Sequence, residues 1–75
     1  MQPIHLTDHA IQRAAQRNMP PFVLRKAAQT ATYRGHGNCV IETQYGQVIV
    51  HHDTVVTVLS QEYKLRDDLQ RITLY

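Results

Sequence analysis

The chain holds a single cysteine, Cys39, no tryptophan, three glycines, three prolines and no apolar run longer than three residues. One thiol excludes an internal disulfide framework, so packing or association must supply the stability, and the cytoplasm is the expected compartment. Runs of three exclude a membrane-spanning helix, which needs about 20 consecutive apolar residues. The opening Met1, Gln2, Pro3, Ile4 and His5 show neither a basic start nor the apolar stretch of a secretory signal, so none is expected. The glycines and prolines punctuate rather than cluster, and no linker, repeat or low-complexity segment divides the chain. Acid is scarce in the first half: residues 1–38 hold Arg13, Arg17, Arg25, Lys26 and Arg34 against Asp8 alone, a balance of +4, whereas the remainder balances to −2. Such asymmetry suits one anion-facing surface, and nucleic acid is a candidate partner; a partner of opposite charge or plain solvation suits it as well.

What is present suffices for one small core. The 75 residues are 43% apolar with four Tyr and one Phe, and a chain of this size buries only about 60% of its unfolded surface, so residues 1–75 are read as a single domain. A charged fraction of 19% is too low for a disordered tail.

Residues 3–6 enter as a short extended segment. Thr7 is placed to cap a helix over about 8–17, with Asp8 favourable in its first turn and Asn18, which tolerates the left-handed conformation, ending it. At 100° per residue Ala10, Ile11, Ala14 and Ala15 share one face, while His9, Gln12, Arg13, Gln16 and Arg17 occupy the other. Pro20 and Pro21 suit the start of a second helix over about 21–30, with Phe22, Val23, Leu24, Ala27 and Ala28 as its apolar side. From Thr32 the residues turn β-branched and aromatic, which predicts antiparallel strands near 38–44, 47–51 and 54–60. Tyr45-Gly46 and His52-Asp53 are the hairpin signals between them. Residues 61–75 stay open between a short helix on Leu65, Leu69 and Ile72 and an edge strand at 72–75.

The run Thr7-x-His9-Ala10-x-x-Arg13-x-x-x-Arg17, followed by a second helix and a glycine-punctuated meander ending in Val55-Val56-Thr57-Val58, resembles the domain-of-unknown-function 4258 family. That family is grouped with ribonuclease toxins of the barnase, EndoU, colicin and RelE type. The resemblance spans roughly residues 6–60. Asn18-Met19 stand where the family usually has Gly-Ile, and Pro20 where it usually has a Ser or Thr cap; both replacements keep the backbone logic. The resemblance implies an α+β fold, two N-terminal helices packed on a curved antiparallel sheet of three to four strands, and metal-independent RNA cleavage. A bacterial or phage toxin with an acidic antitoxin as partner is the corresponding biological setting.

Cleaving RNA without a metal requires a base for the 2′-OH proton, an acid for the departing 5′-oxygen and cations for the phosphorane-like charge. His9, Arg13 and Arg17 recur every four residues and form one stripe on the first helix, an imidazole beside two guanidinium forks suited to phosphate. The same stripe is equally the solvated face of an amphipathic helix. His51 and His52 end a strand, where alternation sends their side chains to opposite faces, and His51 is taken as the complementary acid, with a polar turn residue as the plainer account. Tyr33, Arg34 and His36, the last between two glycines, together with Lys26, are the candidates for holding RNA. Five His and one Cys complete no set of four ligands, so no metal site and no cofactor are expected. Cys39 reads as a small buried apolar residue. Phosphate loops, paired carboxylates and Ser-x-x-Lys motifs are missing, which disfavours ATPase, glycosidase and acyl-enzyme chemistry. The alternatives are an inactive RNA- or protein-binding module of the same fold, and a homodimer joined through an exposed strand edge or the C-terminal segment.

Overall fold

The computed structural model describes residues 4–34, 38–64 and 70–74, with backbone alone at Tyr33 and Arg34. The elements are β1 (His5–Leu6), α1 (Asp8–Gln16), α2 (Pro21–Arg34), β2 (Asn38–Thr43), β3 (Gly46–His51), β4 (Thr54–Leu59) and β5 (Arg71–Leu74). The architecture is α+β: two helices over one face of a five-stranded mixed sheet, ordered β1-β4-β3-β2-β5.

The three central strands form the antiparallel meander read from the sequence, but both margins are parallel. β1 pairs with β4, His5 opposite Thr54 and Leu6 opposite Val55, and β5 pairs with β2, Val40 to Thr43 opposite Arg71 to Leu74. The expectation of a three- to four-stranded antiparallel sheet is thereby corrected. The added strands span two and four residues, too short to leave a readable alternation.

Local chemistry explains each helix end. Thr7 stands in extended conformation and its Oγ1 accepts from the Ala10 N–H, closing the first turn of α1, while Asp8 sits favourably in that turn. At the other end Asn18 adopts φ 59°, the Asn18 N–H donates to the Ala15 carbonyl and the Met19 N–H to the Ala14 carbonyl. Those two bonds make a Schellman closure, with buried Met19 and Ala14 as its apolar contact. α2 begins at Pro21 as expected and runs one turn past residue 30, to Arg34. Thr32, where the strand-like residues begin, is held in the helix with Thr30 before it: Thr30 Oγ1 donates to the Lys26 carbonyl and Thr32 Oγ1 to the Ala28 carbonyl. Thr32 Oγ1 also accepts from the Ile4 N–H, 2.8 Å, which ties the chain start to the end of α2.

Ala10, Ala14, Ala27, Ala28 and Ala31 let the helices approach the sheet closely, against Cys39, Ile41, Val48, Val50, Val55, Val58 and Ile72. Alternation sends Val40, Glu42, Gln47 and Ile49 to the opposite face. There Gln47, only 4% exposed, donates through Nε2 to the carbonyls of Ser60 and Tyr63, both at 2.8 Å, and so fastens the segment after β4 across the back of the sheet. No described helix is long and apolar enough to cross a membrane.

Candidate functional site

α1 runs along the open side of β4, where it does two things at once. Its first turn is anchored by Thr7, whose N–H and Oγ1 both donate to the Val55 carbonyl (3.4 and 2.8 Å), and its end by Arg17, whose Nε donates to the Val58 carbonyl at 3.3 Å. The helix therefore covers carbonyls that β1, two residues long, leaves exposed. The flank that carries this contact is the one bearing His9, Arg13 and Arg17. His9 and Arg13 are exposed, and Arg13 donates to Gln16 Oε1 at 2.9 Å. Arg17 is half-buried, engaged at the sheet margin. The three share a flank as the four-residue spacing requires, but their guanidinium groups are partly engaged within the fold.

A second group of imidazoles lies at the end of the sheet where α1 begins. His5 is opposite Thr54, Thr54 opposite His51, and His51 opposite Asn38, so these four form one row across four strands. Residues directly opposite in a sheet point to the same face. Leu6 packs toward the helices, which places His5 and the rest of this row on the helix-free face. His52 follows in the β3–β4 turn with φ 51°, and Asp53 with φ 61°, the backbone of a type I′ turn. The turn overrides strand alternation: the His51 and His52 rings lie 4.0 Å apart, edge to face, rather than on opposite sides. The His52 N–H donates to Asn38 Oδ1 at 3.1 Å, and the His5 N–H to the Asp53 carbonyl at 3.0 Å, so both ends of this turn are fixed.

Among the described residues no hydrogen bond, ion pair or ring contact joins His51 to His9, Arg13 or Arg17. Lys26 is exposed on α2. The side chains of Tyr33 and Arg34, and all of His36, lie outside the described residues, but α2 ends at Arg34 and β2 starts at Asn38, at the same end of the sheet as the imidazoles. Sequence reasoning passed over His5 in this role. Its place is set by a parallel pairing with a strand 49 residues away, which no local pattern announces. Among the described residues no group of three or more His, Cys, Asp or Glu is placed to hold a metal ion. Burial pushes the Cys39 thiol above its ordinary value, and at 1% exposure it is no accessible nucleophile.

Among the described residues, grooves open on the helical side at two places. One, of about 270 Å³, lies between the helices and is lined by Leu6, Ile11, Met19, Leu24 and Arg25. The other, of about 160 Å³, lies between the start of α2 and the β2–β3 hairpin, with Phe22, Lys26 and Tyr45 on its walls. No family model, no curated protein and no solved structure matches this chain.

Proposed function

We propose that the chain is a small toxin-like endoribonuclease that cleaves RNA by metal-independent acid and base chemistry at the imidazole-bearing end of the sheet. The observation that carries this reading is the exposed, touching pair His51 and His52, with His5 in the same cross-strand row as His51 and His9 at the start of α1. A base takes the 2′-OH proton as the 2′-oxygen attacks phosphorus, the P–O5′ bond breaks, and an acid returns a proton to the 5′-oxygen, leaving a 2′,3′-cyclic phosphate. Two imidazoles side by side supply both roles, one accepting a proton and the other donating one. The basic helical half and the resemblance to the domain-of-unknown-function 4258 family support the same reading, as does Arg13, exposed on the flank shared with His9. On this reading His51 takes part in proton transfer, while His9 and Arg13, on α1 and joined to it by no contact among the described residues, are assigned to the phosphate; Arg17 acts chiefly by fixing α1.

The test is incubation with single-stranded RNA in the presence of a chelator. Cyclic-phosphate ends are the expected product, and His51→Ala or His52→Ala should lower the rate by about 10²–10⁴-fold. Equal turnover by wild type and both variants, or no cleavage at all, overturns the proposal.

A second reading is favoured by a specific observation. Arg17 is bonded to the Val58 carbonyl and Arg13 to Gln16, which draws the guanidinium groups away from an open phosphate site. The groove between the helices, with Ile11 48% exposed and Arg25 at its margin, suits an acidic, amphipathic partner segment such as an antitoxin. On this reading the fold is an inactive module that binds RNA or protein. RNA binding with steep salt dependence and no turnover distinguishes it.

A further inference from the structure

We infer that the groove between α2 and the β2–β3 hairpin is a single-base subsite for single-stranded RNA, an aromatic slot set apart from the imidazole end. The groove is small, about 160 Å³. Sites for drug-sized ligands run to roughly 300–1,000 Å³, so this one has room for a single flat group and no more. Phe22 and Tyr45 both line it, yet the rings in contact among the described residues are those of His51 and His52, so the two aromatic side chains face a shared space without closing it. Phe22 is 61% exposed, so its ring is open to a stacking partner. Tyr45 is partly buried and packs against the core, and the hairpin that carries it is braced by Thr43 Oγ1, which accepts from the Tyr45 and Gly46 N–H groups.

The polar groups at the rim fit a nucleotide. Lys26, exposed one turn beyond Phe22, is a cation at the distance of a neighbouring side chain on the helix, and Gln44 offers both a donor and an acceptor amide to a base edge. Base stacking beside a cation is the recurring arrangement of single-strand binders, and it tolerates any base because every base has a π-face. The row Phe22, Lys26, Gln29 then climbs α2 on one exposed flank. α2 ends, about 18 Å from Phe22, at the end of the sheet that carries His51 and His52. A strand seated by one base in the slot and lying along this flank would come, a few nucleotides on, to the end of the sheet that carries the imidazoles. The inference rests on the nucleic-acid reading but not on cleavage.

The experiment uses a fluorescent 2′-O-methyl RNA hexanucleotide, which cannot be cleaved, and follows its binding by anisotropy to the full chain. Phe22→Ala should weaken binding about tenfold and Phe22→Tyr should restore it, because the ring and not its surroundings does the work. Lys26→Gln should weaken binding and reduce the salt slope by about one ion. Circular dichroism checks that the folds are unchanged, which the exposure of both side chains predicts. Phe22→Ala binding as tightly as wild type, equal affinity for a duplex of the same length, or no binding of the hexanucleotide overturns the subsite. In the first case the groove is left to a protein segment or a second copy of the chain. Binding that follows these expectations while natural RNA stays intact sinks the nuclease proposal and leaves this one standing.

Discussion

At Gly46 the hairpin and β4 meet tightly. A Cβ there would stand 2.5 Å from the Leu59 carbonyl oxygen, a backbone atom with nowhere to go, and the Arg17 stem and the Val58 side chain close the other sides. Gly46→Ala should therefore cost about 2–4 kcal/mol, the sum of backbone strain and overpacking, read as a lowered urea midpoint with unchanged slope. The opposite sign is expected at the far turn. Asp53 holds φ 61° without being glycine, so Asp53→Gly should raise Tm by roughly 2–6 °C, and a fall would show that the Asp53 side chain matters more than the turn. Cys39 adds a pH dependence whose direction is fixed by burial. Its folded-state value is raised, so its contribution is whole below the ordinary thiol value of 9.0. Above it the unfolded chain ionises first, and stability falls. Urea midpoints between pH 8 and 10.5 should decline more steeply for wild type than for Cys39→Ala; parallel curves would remove the thiol from the account.

At the scale of elements, the single threonine that begins α1 links helix to sheet. Thr7→Ala removes both the cap on the Ala10 N–H and the side-chain bond to the Val55 carbonyl, and about 1–2 kcal/mol should go with them. Thr7→Ser keeps the hydroxyl and should recover most of that in the same thermal melt. The ends of α1 are legible in the sequence because Thr7, Asp8 and Asn18 act on backbone groups within a few residues of themselves. The end of α2 is not, since Thr30 and Thr32 carry strand propensity and are kept helical by bonds to carbonyls four residues back and by Ala31 in the core. β1 is legible only as an extended entry at 3–6: two residues have no period, and the partner that makes them a strand lies 49 positions on. The same limit governs the candidate site. The stripe His9, Arg13, Arg17 follows from helical spacing alone, but the bond that takes Arg17 to Val58 is tertiary. The contact between His51 and His52 appears only once the turn is known to begin at His52.

For the whole molecule, the topology sets how little can be removed. Both parallel pairings join segments far apart in the chain, β1 with β4 and β2 with β5, so the sheet is complete only when its two ends are in place. Non-local pairing of this kind slows folding, because the closure entropy of long loops is lost before the contacts form. It also makes the last strand part of the core rather than an appendage: Ile72 is 6% exposed and sits opposite Ile41, which is fully buried, and Arg71 pairs with Glu42 at 2.8 Å on the other face. That ion pair is partly exposed and contributes little by itself, so the apolar contact dominates. A chain of this length has a total stability of about 4–11 kcal/mol, against which the loss expected for Ile72→Ala, about 2–5 kcal/mol, is a large share. Ile72→Ala should melt well below wild type in a single transition followed alike by far-ultraviolet circular dichroism and tyrosine fluorescence. Arg71→Gln should melt close to wild type. An Ile72→Ala variant of unchanged Tm would mean that β5 lies on a finished core, and that the helices and the three-stranded meander hold the fold without it.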